Sequence, residues 1–230
     1  MNEAKTKAED LMVAYNIDGN EIKLSMQIVQ QYIVGNDVKI TLQEFKLFTE
    51  LCKVRKLNPF LKEAYLIKYS DKQPAQIVVG KDVILKRAIL NDKFDGREQG
   101  VITTDEQDKE IYHNGTFYLS GKEKLVGAWA RVFRKDWKYP TYITVNFDEV
   151  SQTKFDGSLN SNWKNKGATM VEKVALVRAL RETFVEDLGG LIDADEAWID
   201  SPRQAKHEVI EQEEPTEIID VKQEQGLDDL

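Results

Sequence analysis

The sequence predicts an α+β fold, in which a compact core of helices packs against an antiparallel β-hairpin or sheet and a disordered acidic tail follows. Apolar residues recur at helical spacing in residues 42–52 and 170–187, whereas residues 125–147 alternate with the period of two that is typical of strands. The 41% hydrophobic content is sufficient for a core. We therefore expect one domain over residues 1–200 and a tail over residues 201–230, which are rich in Glu and Gln and poor in aromatic residues.

Smaller elements fill the first half of the expected domain. A capping box of Thr41 and Glu44 predicts a helix start, because each side chain satisfies a backbone donor there, and Asn58-Pro59 ends this helix. Residues 1–20 show little pattern. The other expected elements are a helix at 21–34, strands at 63–69 and 76–79, a helix at 82–90, strands near 98–103 and 111–119, and a hairpin that pairs 125–134 with 139–147 across Lys135–Lys138.

A second capping box, Thr169 with Glu172, predicts a helix from about Met170 to Asp187 that Gly189-Gly190 ends. Successive residues turn by about 100°, and the apolar arc then also contains three cations. A buried guanidinium is costly unless it is paired, and the acids on this helix are expected on the opposite side. With few internal candidates nearby, the partner is either an acid from elsewhere or a phosphate. The three cations are Lys173, Arg178 and Arg181.

The predicted hairpin interleaves basic residues with aromatic rings. Trp129, Arg131 and Phe133 share one strand face, and Arg134 lies on the other. Cations that follow the backbone and rings that stack on bases suit single-stranded nucleic acid, although Trp129 and Phe133 equally suit a hydrophobic core. The candidate cations of the hairpin are Arg131, Arg134, Lys135 and Lys138.

Charge is segregated along the chain, whose formal net charge is −8. Residues 42–97 and 122–181 are net basic, whereas residues 182–200 and the tail are strongly acidic. This pattern favours a local basic groove for an anionic partner, and solvated charged faces would explain it as well. The acidic tail is expected to compete for that groove, to dock a basic partner or simply to aid solubility.

The sequence gives little support for an enzyme. His113 and His207 are its two histidines and Cys52 is its single cysteine. We therefore expect no catalytic residues of the Ser/His or Cys/His type, no metal site and a buried thiol. The Gly115–Lys122 segment has the wrong spacing for a phosphate loop, so ATP binding is not expected.

Two other function classes remain open. An Mg²⁺-dependent nuclease would use scattered acids such as Asp148-Glu149, because the acid-x-Lys spacing of Glu44 and Lys46 falls on a predicted helix rather than on a strand. A protein–protein adaptor would act through the acidic tail. No run approaches the ~18 apolar residues of a membrane span, and the N-terminus lacks the pattern of a signal peptide. We expect a cytoplasmic protein.

Several short motifs occur in a recognisable order. They are Leu57-Asn58-Pro59-Phe60 before Lys62-Glu63, Val78–Asp82 before a helix and Phe94-Asp95-Gly96 after it, Arg131–Asp136 with Pro140, the series Trp163, Met170, Lys173, Ala175, Arg178 and Arg181, and Gly190–Asp193 with Asp195-Glu196. Over about residues 40–198 these motifs resemble the phage RecT/Bet (Redβ) family of single-strand annealing proteins.

The resemblance implies an ATP-independent recombinase without cofactor or covalent catalysis. Such a protein binds single-stranded DNA and the annealed duplex intermediate in a basic groove, assembles into rings or helical filaments, and works in the cytoplasm of a bacterial host. An exonuclease and the host single-strand-binding protein are implied partners, although the acidic tail replaces the helical C-terminal domain that serves them. The implied DNA-binding residues are Lys81, Arg131, Arg134, Lys135, Lys138, Trp163, Lys164, Lys166, Lys173, Arg178 and Arg181.

Overall fold

A four-stranded antiparallel sheet and a long helix packed on one face of it form the centre of the fold. The computed structural model describes residues 11–34, 38–68, 70–154 and 156–193. Its mixed helices and antiparallel sheets confirm the predicted α+β class. In chain order the elements are β1 (Met12–Ile17), β2 (Asn20–Ser25), α1 (Met26–Ile28, continued by π-helical turns over Val29–Val34), α2 (Leu42–Val54), β3 (Ala64–Ile67), β4 (Gln76–Val79), α3 (Lys81–Leu90), β5 (Phe94–Thr104), β6 (Glu110–Tyr112), β7 (Lys124–Arg134), β8 (Thr141–Asn146), α4 (Phe147–Val150), α5 (Ser161–Thr183) and α6 (Val185–Leu188).

The central sheet has the strand order β6-β5-β7-β8 and contains the predicted hairpin as β7 and β8. On β7, Ala128, Ala130 and Val132 are fully buried on the face that contacts α5, because alternate side chains of a strand point to the same face. The two alanines allow the helix to approach the strand closely. The opposite face carries Trp129 and Arg131, as the alternation predicted.

The long helix α5 begins well before the predicted start. Its N-cap is Asn160, whose Oδ1 accepts the backbone N–H of Trp163 at 3.0 Å. Thr169 lies inside the helix, so the capping box predicted there is wrong. The backbone departs from helical geometry at Lys166 (φ −134°, ψ 31°), which divides α5 into a short and a long piece. Glu172, expected on the solvent side, is buried, because α5 contacts both the sheet and α3.

Gly167, directly after this kink, allows an aromatic ring to pack against the helix. A Cβ at this position would lie 2.9 Å from Cε2 of Phe147. Phe147 meets the ring of Trp163 edge-on, with centroids 5.6 Å apart. The kink and the glycine therefore place the Phe147 ring against the first turns of α5.

The N-terminal region forms a hairpin where the sequence showed little pattern. β1 and β2 are joined by Asp18-Gly19, which both have positive φ (47° and 84°). Ile22 and Leu24 alternate along β2 and are buried, so the helix expected over 21–34 begins only at Met26. This prediction failed because apolar residues four apart fit a strand period as well as a helical one.

The second predicted helix is confirmed as α2, with both hydrogen bonds of the Thr41–Glu44 capping box present. The Glu44 carboxylate also accepts hydrogen bonds from Lys68 Nζ at 2.9 and 3.0 Å and from the Ala75 N–H at 2.8 Å. Burial alone would raise the pKa of Glu44, but these donors lower it to about 2. This carboxylate therefore fixes the β3–β4 hairpin to the start of α2.

The last described residues return to the β3–β4 hairpin. The backbone N–H of Val79 donates to the carbonyl of Ile192 at 2.8 Å, and the exit segment (residues 191–193) runs parallel to the end of β4. The expected tail over 201–230, and the residues before it from 194, lie outside the described residues. Within the described ranges, no helix is long and apolar enough to cross a membrane.

Candidate nucleic-acid interface

The three basic residues of α5 singled out by the sequence are all half-buried. Lys173 forms an ion pair with Asp193, with Nζ 2.8 Å from Oδ1, and Asp193 is only 2% exposed. The sequence left open whether the partner of these cations is an acid or a phosphate. For Lys173 the structure provides an acid from the exit segment.

Arg181 also contacts the exit segment. Its Nη1 donates a hydrogen bond to the carbonyl of Leu191 at 3.3 Å. The expectation that few internal partners lie near these cations was therefore wrong for both Lys173 and Arg181. The partners belong to the exit segment, which comes after α5 in the chain and folds back beside β4, so the spacing of acids along α5 could not reveal them.

Lys81 follows Val79, whose backbone N–H bonds to the exit segment, by two residues. It is the first residue of α3, directly after the N-cap Gly80, which provides no side-chain hydrogen bond to the helix start. The first backbone N–H groups of a helix lack intrahelical partners and carry the positive end of its dipole. Since Val79 bonds to the exit segment, the α3 start, Lys173 and Arg181 are grouped around that segment.

The hairpin tip (residues 134–139) is built on a buried arginine. Arg134 donates from Nε to Asp136 Oδ1 at 2.8 Å and from Nη1 to the Thr183 carbonyl at 2.7 Å, and its Nη2 lies 2.7 Å from Glu186 Oε1. The hydrogen bonds to Glu186 and then Asp136 raise the pKa of Arg134 above its usual value. Arg134 was expected to bind DNA. In the structure, three of the five N–H groups of its guanidinium meet protein acceptors, which hold the hairpin tip in place. Its contact with DNA stays a prediction.

The other cations of the hairpin tip are exposed. Lys135 Nζ donates to the Asp92 carbonyl at 2.7 Å, and Lys138 Nζ lies 5.1 Å from the centroid of the Tyr139 ring. Trp137 and Tyr139 are 45% and 71% exposed. These two rings were missing from the predicted site residues. The signal that identifies them is an aromatic residue in a turn, where strand alternation cannot bury it.

Arg131 lies on the outer face of the sheet, away from α5. Its guanidinium carbon is 4.9 Å from the Tyr142 ring centroid and 5.6 Å from that of Trp129. Glu98 on β5 is a weak partner at 3.8 Å. This cation is therefore held over aromatic rings and remains exposed on a different face from the α5 cations.

Three predicted DNA contacts lie in the first turns of α5, and one of them is buried whereas two are exposed. Trp163 is 1% exposed and packs on Phe147. Because the ring does not reach solvent, we correct its implied DNA contact to a packing role. Lys164 and Lys166 are exposed beside it. Both remain predicted DNA contacts.

A polar cluster on β5 has a different role. Glu123 Oε2 accepts the Thr103 hydroxyl at 2.5 Å and lies 2.6 Å from His113 Nε2. The hydrogen bonds from Thr103 and His113 lower the pKa of Glu123. Thr103 Oγ1 also lies 3.0 Å from His113 Nε2. These three side chains therefore attach the 113–123 connection to β5.

The profile of the RecT family matches residues 19–216, most of the chain. The chain belongs to the RecT family. The resemblance drawn from the motifs over residues 40–198 is thereby confirmed, and the match also extends into the N-terminal hairpin. A comparison with curated proteins found no match.

RecT family proteins act in phage single-strand annealing during recombination, and they are generally non-catalytic. Membership in the family implies interaction with single-stranded DNA.

Proposed function

We propose that this chain binds single-stranded DNA through cations of α5 and the α3 start, and that it anneals complementary strands without ATP. The observation that carries the proposal is the grouping of Lys173 and Arg181 around the exit segment, beside the helix start that carries Lys81. Arg178, on the same helix, completes the set. We place this activity in the cytoplasm of a bacterial host.

The way these cations are held suits a backbone-binding site. A long side chain that is already fixed by the protein loses little conformational entropy when a phosphate binds. Backbone contacts carry no base preference, and they leave the base edges accessible to a complementary strand. Annealing then requires positioning of two strands and no covalent step.

The site is tested by replacing both Arg178 and Arg181 with Ala. Each charge-assisted hydrogen bond contributes about 1.5–3 kcal/mol, so affinity for single-stranded DNA should fall about a hundredfold or more and annealing should be lost. The matched control is Lys46→Ala with Lys53→Ala, which removes the same charge from exposed positions of α2. Thermal unfolding followed by circular dichroism checks the fold. Normal annealing by the double arginine variant would refute this site.

Salt dependence tests the electrostatic nature of the binding. With roughly six phosphates neutralised, affinity for single strands should fall by about two to three decades between 50 and 200 mM salt. The same labelled oligonucleotides, incubated with Mg²⁺, should keep their full length. Shortened products would favour the nuclease alternative, and an absence of any binding would favour the adaptor.

Assembly and partners form a further part of the proposal. We expect rings or helical filaments on DNA, visible by electron microscopy after sequential addition of complementary oligonucleotides. Particles of a single chain at every stage would contradict this. Co-purification with a phage exonuclease or with host single-strand-binding protein, with and without residues 202–230, tests whether the tail serves either partner.

A further inference from the structure

The hairpin tip presents an aromatic surface that the backbone-binding role does not use. Trp137 and Tyr139 remain 45% and 71% exposed, although neither lies on a strand face that the core could cover. Each ring is accompanied by a cation, since Lys138 Nζ lies 5.1 Å from the Tyr139 centroid and the Arg134 guanidinium lies 5.0 Å from that of Trp137. Rings and cations in alternation are the elements of a single-strand binding surface.

The Trp137 ring is supported from one side by a fixed group. The guanidinium carbon of Arg134 lies 5.0 Å from the ring centroid of Trp137 and 5.4 Å from that of Phe184. Three acceptors hold that guanidinium in place: Asp136, Glu186 and the Thr183 carbonyl. These contacts restrict the guanidinium and thereby favour one orientation of the Trp137 ring that lies against it.

The backbone of the turn is fixed as well. The Trp137 N–H donates to the Arg134 carbonyl at 3.0 Å, and the Lys135 N–H donates to the Lys93 carbonyl at 2.8 Å. Lys93 Nζ also reaches Asp136 at 3.3 Å. The tip is therefore attached to the segment before β5, and a preformed surface of this kind binds with a small entropic cost.

We propose that Trp137, with Tyr139 beside it, is a stacking site for an unpaired DNA base. The proposal rests on the single-strand binding proposed above and adds a contact to the bases. Stacking uses the face of a base, which every base has, so this site has little sequence preference. It leaves the Watson–Crick edge unoccupied, which is the edge that annealing needs.

The experiment compares an oligothymidylate of about 20 nucleotides with an abasic oligonucleotide of equal length, which keeps the backbone and lacks the bases. Stacking contributes about 1–3 kcal/mol per base. We therefore expect Trp137→Ala to weaken oligothymidylate binding about tenfold and to leave abasic binding unchanged. Trp137→Phe should retain most of the affinity. Tyr32→Ala is the matched control, since Tyr32 is 77% exposed but lies in the turns after α1.

Tryptophan fluorescence gives an independent reading. The chain has four tryptophans, of which Trp129 and Trp163 are buried. Oligothymidylate should quench the emission of the unmodified protein, and Trp137→Phe should lose most of that quenching while it still binds.

Each outcome distinguishes the two proposals. Equal losses on both oligonucleotides, or no loss on either, would overturn the stacking site while leaving the backbone site intact. If the unmodified protein binds neither oligonucleotide, the proposed function itself fails. Circular dichroism melting of the Trp137→Ala variant separates a lost contact from a lost fold.

Discussion

The cations of α5 and those of the hairpin tip differ in how the fold holds them. On α5, Lys173 and Arg181 are held by the exit segment, through Asp193 and the Leu191 carbonyl. At the hairpin tip, three protein acceptors hold the Arg134 guanidinium, and the exposed Trp137 ring lies against it. The first region therefore presents cations that are already anchored, whereas the second uses one cation as the support for an aromatic ring.

This difference shows that the role of a basic residue depends on what its charged group contacts. Arg134 was predicted to bind DNA, but its guanidinium contacts two carboxylates and a carbonyl of the protein. Lys138, with the weakest contacts of the tip, is the more accessible cation. Counting basic residues along the chain cannot make that distinction.

The largest expected effect concerns the anchored region. Replacing Lys173 with Ala removes the ammonium beside buried Asp193, and breaking a buried pair in this way should lower the free energy of unfolding by about 3 kcal/mol. Urea denaturation measures this change in the free energy of unfolding. Lys164→Ala, at an exposed position of the same helix, should stay within about 0.5 kcal/mol. Equal stability of the two variants would mean that the Lys173–Asp193 ion pair does not form in solution. The double variant Lys173→Ala with Asp193→Ala should recover part of the lost free energy of unfolding.

A second anchored pair predicts a pH dependence. The pKa of Glu44 is about 2 in the folded chain against a usual 4.5, so its ionised form stabilises the fold above pH 4.5. That contribution, about 2 kcal/mol after allowance for solvent screening, should be lost as the pH falls from 4.5 towards 2. Glu44→Gln should remove this dependence, and denaturation at a series of pH values checks it. If the free energy of unfolding changed equally with pH in the unmodified protein and in Glu44→Gln, the lowered pKa of Glu44 would be contradicted.

A smaller effect tests the supporting role of Arg134. Arg134→Lys keeps the charge but loses the planar fork that reaches three acceptors. We expect oligothymidylate affinity to fall about threefold through the displaced Trp137 ring, with abasic affinity unchanged. An equal decrease on both oligonucleotides would instead return Arg134 to the phosphate-binding role that the sequence suggested, because both oligonucleotides keep the backbone.

The smallest effect is expected at Lys138. Lys138→Ala should change the free energy of unfolding by less than about 0.5 kcal/mol, because the side chain is exposed and its cation–π contact is weak. Its contribution to DNA binding should appear as a salt slope shallower by about 0.7, measured by titration at several salt concentrations. An unchanged slope would place Lys138 outside the backbone path.

Much of the fold could be predicted because it depends on local signals. The Thr41–Glu44 capping box, the alternation in β7 and β8 and the helix after Gly80 each involve residues close in sequence, and each is present in the structure. The start of α5 was missed because Thr169 and Glu172 also form a valid local capping pattern. Packing of α5 against the sheet and α3 overrode that pattern, and the helix continues back to Asn160.

By itself, the sequence determined the α+β class, the order of the family motifs and the positions of the basic residues along α5 and the hairpin. Only the tertiary structure decided which of those residues are anchored, which are buried and which face solvent. The physical reason is that the partners are distant in sequence: Asp193 pairs with Lys173 from the exit segment, and Thr183 at the end of α5 and Glu186 in α6 contact Arg134 on β7. No local periodicity carries that information, because it arises only when the separate elements pack together.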